Sequence, residues 1–223
     1  MPNYQDVTKY RQKRFRHFEE LIAPILKVKD KVRIIDIGGT RGYWDLASDE
    51  LKKRLSITLV NYEVALNLKR VENDILDVEY HEGDGCNLHE FADGSFDLAH
   101  SNSVIEHVRT LSNMARFAEE TRRVGNAYFV QTPYLWFPYD PHYRMLFIHW
   151  LPRATRIMLT QRFNFGMGRK GHIPYMEALD RVEGVELIDK TMMKALFPDG
   201  TMQLERFALF TKSVMMSRPY TNN

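Results

Sequence analysis

Gly38, Gly39 and Gly42 follow a short β-branched run, Val32 to Ile37, whose end carries Asp36. A glycine-rich turn from strand to helix lets backbone approach a ligand closely and aims helix amides at it. The dinucleotide fingerprint places its glycines at positions one, three and six. Here they fall at one, two and five, so that pattern fails. A tight strand-to-helix turn without a ligand is the alternative. Polar groups suited to a nucleoside come next. Asn61 and Glu63 stand about twenty residues past the loop, where ribose hydroxyls find a carboxylate or amide acceptor. Asp84 can accept from an adenine amino group, or can simply serve a turn.

Acid–base chemistry has several candidates. The chain has eight histidines, and an unperturbed imidazole titrates near neutral pH. His107, His142 and His149 can each act as a general base or as a packed, hydrogen-bonded structural group. Tyr134, Tyr139 and Tyr143 flank His142 and can line a pocket or fill core. Arg144, Arg153, Arg156, Arg169 and Lys170 make this stretch mildly basic, which fits an acceptor phosphate or carboxylate as well as a solvated face. One cysteine, Cys86, excludes an internal disulfide and any zinc site needing two cysteines. With scattered histidines it spells no metal site, and none is expected.

These residues need elements to hold them. The first thirty residues read as helix, with a break or kink at Pro24. Tyr10, Phe15, Phe18, Leu21, Ile22 and Ile25 mark its apolar side. Lys9, Arg11, Lys13, Arg14 and Arg16 mark the polar side, a solvated face or a lid over a ligand. After Val32–Ile37 the pattern predicts a helix over 43–55, a strand over 57–62 and a short helix over 66–71. Strands follow near 77–81 and over 96–100, then a helix over 111–123 and a strand over 127–131. Strands alternating with helices imply parallel crossovers and a doubly wound sheet. Two strands, 185–190 and 204–214, flank Phe197-Pro198-Asp199-Gly200 and suggest an antiparallel addition at the sheet edge. Residues 133–171 are aromatic, proline-marked and too long for a plain connection. They follow the C-terminal end of a strand, where open sheets bind ligands, so a substrate cap fits there.

The bulk composition is that of an ordinary globular chain. Its 223 residues are 44% hydrophobic and 27% charged, with a net charge of +2. That charge gives no strong nucleic-acid signal. A single cysteine suits a cytoplasmic location. No stretch has the length of a membrane span or a secretory leader. Oligomeric state is not legible.

Taken in order, the motifs resemble those of class I, Rossmann-like S-adenosylmethionine-dependent methyltransferases, in their small-molecule or type 11 branch. Asp36, Gly38 and Gly42 match the acidic-x-Gly-x-Gly-x-Gly loop, and Thr40 replaces its middle glycine. Asp93-Gly94-Ser95-Phe96-Asp97, a small polar turn, and then Glu106-His107 resemble the fourth-strand region. Phe197-Pro198-Asp199-Gly200 and Glu205-Arg206-Phe207 are similar to the end of such chains. The resemblance covers Val32 to Pro133 best and implies a three-layer α/β fold. That fold is a doubly wound, seven-stranded, mostly parallel sheet with its last strand antiparallel. Here it would carry an N-terminal helical lid (1–30) and the cap insertion (133–171) in a single domain over 1–223.

The resemblance also implies roles. Asp36, Gly38, Gly39 and Gly42 would hold the methionine end of S-adenosyl-L-methionine. Asn61 or Glu63 would hold the ribose, and Asp84 with Gly85 the adenine. Ser101 and Ser103 would sit near the transferring methyl. Tyr134, Tyr139, His142 and Tyr143 would meet the acceptor, with His107, His142 and Ser103 as catalytic candidates. Most of the rate in methyl transfer comes from alignment, and a base matters only for a hydroxyl or a protonated amine. The expected reaction is methylation of oxygen, less readily nitrogen, on a small molecule, sugar or lipid-linked glycan. An RNA methyltransferase and a non-catalytic cofactor-binding protein are the alternatives.

Overall fold

A computed structural model describes residues 4–62, 74–163 and 172–221. The element order is α1 (Tyr4–Leu26), β1 (Val32–Ile37), α2 (Asp49–Lys52), β2 (Leu55–Asn61), β3 (Asp77–Glu82), β4 (Phe96–Asn102), α3 (Leu111–Val124) and β5 (Gly125–Pro133). Then come β6 (Tyr139–Asp140), β7 (Met145–Leu146), α4 (Arg153–Phe163), α5 (Tyr175–Glu183), α6 (Lys190–Leu196), β8 (Thr201–Phe207) and β9 (Phe210–Arg218). The seven-stranded sheet runs β3-β2-β1-β4-β5-β9-β8. All pairs from β3 to β5 are parallel, and β9 is antiparallel to both β5 and β8. The chain order reverses between β1 and β4, which opens a crevice at their C-terminal ends.

Successive strand residues face opposite sides, so one strand feeds two cores. Ile34 packs with Phe15, Phe18, Ile22 and Ile25 of α1 on one side. Ile35 and Ile37 pack with Met114 and Phe117 of α3 on the other. A third cluster joins Tyr143, Ile148 and Ile157 of the insertion to Ala178 and Val182 of α5.

Three local expectations change. The helix expected over 43–55 is a 3-10 turn, Arg41–Leu46, followed by the short α2. The break falls where Ser48 turns its side chain to accept from Leu51 N, an N-cap bond that starts a new helix. The expected strand over 185–190 contributes one bridge, Ile188 to Tyr134. Asp189 then caps α6 by accepting from Met192 N. The expected strand over 204–214 is a hairpin, because Ala208 (φ 50°) reverses the chain between β8 and β9. The antiparallel strand β9 therefore lies inside the sheet, and β8 takes the edge. Helix α1 continues through Pro24, which sits in its last turn. The helix expected over 66–71 lies outside the described residues.

Four of the five basic residues expected on the polar side of α1 are exposed. Arg14 is not. It donates twice to Glu205 on β8, at 3.0 and 2.8 Å, and to Asn102 on β4 and Gln131 on β5 at 3.1 and 2.9 Å. One guanidinium thus ties the N-terminal helix to the C-terminal ends of three strands. Glu205 is buried, and a buried charge is tolerated only when paired. Arg14→Met is expected to lower unfolding stability by about 3–5 kcal/mol, read as a fall in the urea midpoint. Adding Glu205→Leu is expected to recover much of that loss, since no lone buried charge then remains.

Candidate functional site

Asp36 ends β1 wholly buried. Its Oδ2 accepts from Trp44 Nε1 at 2.8 Å, and its Oδ1 lies 2.7 Å from His100 Nδ1. The parallel register sets Asp36 beside His100, so the second contact follows from strand pairing. A carboxylate accepts here, so Nδ1 carries the imidazole proton and Nε2 is bare. The glycine turn wraps this carboxylate. A Cβ at Gly39 would fall inside the Asp36 carboxylate, and Gly38 (φ 72°) presses on Val104. Glycine is needed at both positions. At Gly42 a Cβ would meet nothing within 4 Å.

The nucleoside candidates line up along the same sheet edge. Asn61 Nδ2 donates to Gly39 O at 3.0 Å and so props the loop. Asp84 Oδ1 accepts from Cys86 N at 2.8 Å, as a turn residue does. Gly85 packs against Ile37 so closely that a side chain is excluded. Ser101 is buried and donates to Ile37 O, which makes it a strut between β4 and β1. Glu63 lies outside the described residues.

A cavity of about 930 Å³ opens beside the loop. Gly38, Gly39, Thr40, Asp36, His100 and Tyr43 form its deep end. Asn102, Ser103 and Gln131, from the ends of β4 and β5, form the polar wall. Ser103 has φ 59°, a sparsely populated conformation for a non-glycine residue, and its Oγ donates to Gln131 Oε1 at 3.0 Å. The helix α1 contributes Tyr10, Arg11 and Arg14. The insertion contributes Phe137, Tyr139, Pro141, His142 and Leu146, and the last hairpin Phe207, Lys212 and Ser213. Three polar atoms on the cavity's residues, Tyr43 OH, His100 Nε2 and Gln131 Nε2, are buried without a partner among the described residues.

The expected acceptor residues separate. Tyr139 and His142 reach the cavity. Tyr143 turns into the core of the insertion, with its hydroxyl 3.4 Å from Arg181 O. Tyr134 packs on the main core, and Lys190 lies over its ring at 5.1 Å. Neither of these two lines the cavity: the hairpin of β6 and β7 reverses the chain after Asp140, and Tyr134 is pinned by its bridge to Ile188.

His142 is the outer member of a charged group. Its Nδ1 lies 3.2 Å from Asp140 Oδ1, which also accepts from His142 N at 2.8 Å. Burial works against the Asp140 carboxylate, but these bonds and the His142 charge hold it below the usual range. His149 Nε2 donates to Leu135 O at 2.9 Å, and its Nδ1 lies 3.5 Å from Asp140 Oδ2. His149 is therefore structural. The His107 ring meets the His142 ring edge-on at 4.9 Å, and its Nδ1 donates to Gly184 O at 3.2 Å. Behind them lies Glu106, fully buried, accepting from Thr132 Oγ1 at 3.0 Å. Burial pushes its carboxyl up to about 7, against the opposing pull of nearby bonds and of His142.

Arg14, His100, Glu106, Gln131 and Asp140 were not singled out from the sequence. A usable signal existed for one of them, His100. An acid and a histidine that each end a neighbouring parallel strand, as Asp36 and His100 do, fall side by side in register. The others come together only through long-range folding.

Residues 35–127 match a family described as a methyltransferase domain. No curated protein matches the chain. Among solved structures, a SAM-dependent methyltransferase from Methanosarcina mazei is similar at TM-score 0.55 and 15% identity, covering 89% of this chain and 98% of that one. The PH0226 protein from Pyrococcus horikoshii is similar at TM-score 0.52 and 16% identity, covering 93% and 91%. A chain described as a putative Zn-dependent alcohol dehydrogenase, from Rhodobacter sphaeroides, reaches TM-score 0.53 at 12% identity, covering 87% and 85%. At these identities the likeness shows the fold alone. The sheet order and the glycine turn at its reversal define a Rossmann-like α/β fold, within which residues 35–127 match the methyltransferase domain. The matched stretch makes the chain similar to S-adenosylmethionine-dependent methyltransferases of the type 11 branch.

The residues fit that cofactor. Gly38 and Gly39 present bare backbone to the cavity, and Asn102, Ser103 and Gln131 give it a polar wall. Bound, S-adenosylmethionine supplies an electrophilic methyl on a cationic sulfur. The chain's own part is to hold, orient and exclude water. Asp36, locked by Trp44 and His100, fixes the loop rather than offering a free oxygen. Asn61 fixes the loop from the other side. Gly39→Ala is expected to cost about 1–3 kcal/mol from overpacking and to lower Tm by several degrees. Gly42→Ala, with open space around it, is expected to leave Tm unchanged; differential scanning calorimetry compares the two.

Proposed function

We propose that the chain methylates a hydroxyl oxygen of an acceptor with a polar head and an apolar body, such as a sugar derivative or lipid-linked glycan. The observation that carries this reading is the division of the cavity. Its deep end and wall are polar, with Asn102, Ser103, Gln131 and His142. Its mouth is apolar, because Leu146 and Phe207 line it and are also exposed. That mouth continues into an exposed aromatic surface. Phe137 meets Phe207 at 6.3 Å, Trp136 meets Trp150 at 6.0 Å, and Phe147 meets Trp150 at 5.1 Å. An apolar surface of this extent at a pocket's entrance suits an acceptor that carries hydrocarbon.

In this reading α1 acts as the lid and residues 133–171 as the substrate cap of one domain. Oxygen is favoured over nitrogen because a hydroxyl must lose its proton as it is methylated. Ser103 and His142 on the cavity wall, backed by His107, Glu106 and Asp140, order the hydroxyl and draw that proton away. A single cysteine, buried at position 86, agrees with a reducing cytoplasm as the setting.

Methyl-labelled S-adenosylmethionine with a panel of alkyl glycosides, free sugars and amino sugars tests this. The label is expected in alkali-stable ethers on alkyl glycosides, with free sugars poorer by at least about tenfold. Phe207→Ala is expected to raise KM for the alkyl glycoside, with kcat little changed. Label found on amino nitrogen alone, or equal use of free sugars, overturns the reading.

A further inference from the structure

The geometry points to a divalent metal site formed by Glu106, His107 and His142, with a first-row transition cation such as Zn²⁺, Fe²⁺ or Mn²⁺ as its ligand. One donor atom from each of these residues lies within 4.8 Å of the other two. The hydrogen bonds around them leave particular atoms available. His107 gives Nδ1–H to Gly184 O, so its Nε2 is a bare acceptor. His142 gives Nδ1–H to Asp140 Oδ1, so its Nε2 is bare as well. Glu106 spends Oε2 on Thr132, and its Oε1 is buried with no hydrogen-bond partner among the described residues.

Each feature has a reason in metal chemistry. A ligating histidine characteristically donates its other nitrogen to a carboxylate or backbone carbonyl, which fixes the tautomer and turns the free nitrogen to the ion. Both arrangements occur here, one for each imidazole. A carboxylate removed from water with one oxygen unmatched is costly, and a cation held at that oxygen supplies the missing partner. Two imidazoles and one carboxylate suit borderline transition metals better than Mg²⁺ or Ca²⁺, which favour oxygen. Ligand bonds of about 2.0–2.2 Å require the cluster to draw in slightly. His107, which is exposed, and His142, on a two-stranded hairpin, have room to do so.

The three protein ligands leave positions open, and His142 sits on the cavity wall. Resting on the acceptor reading above, an acceptor oxygen in an open position would be oriented by the ion and made more acidic. The ion would then occupy the lone pair of His142 Nε2, so His142 acts as a ligand and not as a free base.

The test uses the full chain, stripped with a chelator and titrated with Zn²⁺ by calorimetry and with Mn²⁺ by electron paramagnetic resonance. One ion per chain is expected, with nitrogen hyperfine coupling from imidazole. Glu106→Gln and His142→Ala are each expected to weaken binding at least tenfold. S-adenosylhomocysteine binding should stay within about threefold in both, which reports an intact fold; His107→Ala, at an exposed position, gives a third variant if either fails that check. Absence of stoichiometric binding, absence of imidazole coupling, or unchanged affinity in the folded variants overturns the site. Metal binding is read without turnover. A failed glycoside panel therefore counts against the acceptor reading, and failed titration counts against the metal site.

Discussion

A carboxylate with no water around it must find donors, and much of this site follows from how Asp36 finds two. Trp44 reaches it from the 3-10 turn after the loop, and His100 reaches it from the neighbouring strand. The imidazole then lies at the deep end of the cavity, with Phe18, Tyr43 and Phe129 packed against it. The loop has to pass over the carboxylate, and there is space for it only as Gly39. An interaction that looks like a ligand contact in sequence is therefore a positioning device. It settles where the backbone of the loop lies against the cavity.

A second buried charge closes the other side. Arg14 joins α1 to β4, β5 and β8 through Asn102, Gln131 and Glu205. Gln131 in turn accepts from Ser103, which sits in a left-handed conformation at the end of β4. Helix α1, the strand ends and the last hairpin are thus one connected polar network around the cavity. Networks of this kind specify geometry more than they add stability. The cost of building them inside a protein is justified where atoms must be held within fractions of an ångström.

The insertion after β5 packs Tyr143, Ile148 and Ile157 against Ala178 and Val182 of α5 in a small core. That core lets a two-stranded hairpin stand at the cavity mouth with Asp140 at its base. Asp140 accepts from the backbone of His142 and Tyr143 and from the His142 ring. It thereby turns one neighbour toward the cavity and the other away from it. Three aromatic residues that looked equivalent in sequence acquire different roles through that single turn.

The alternation of strands and helices, the glycine turn and the helix α3 were legible from the chain itself. Each rests on local periodicity or on spacing within a few residues, and such signals survive without knowledge of the fold. The resemblance along Val32 to Pro133 added the family, which the match over residues 35–127 agrees with. The hairpin of β8 and β9 was misread, because a run of strand-forming residues conceals a two-residue turn carried by Ala208. What only the tertiary structure decided is which polar residues meet. Arg14 and Glu205 are 191 positions apart, and Asp36 and His100 are 64 apart. Glu106 and His107 meet His142 only when the insertion folds back on the sheet. The physical reason is that burial, not residue type, turns a surface-like arginine or glutamate into part of a site, and burial is a property of the whole fold.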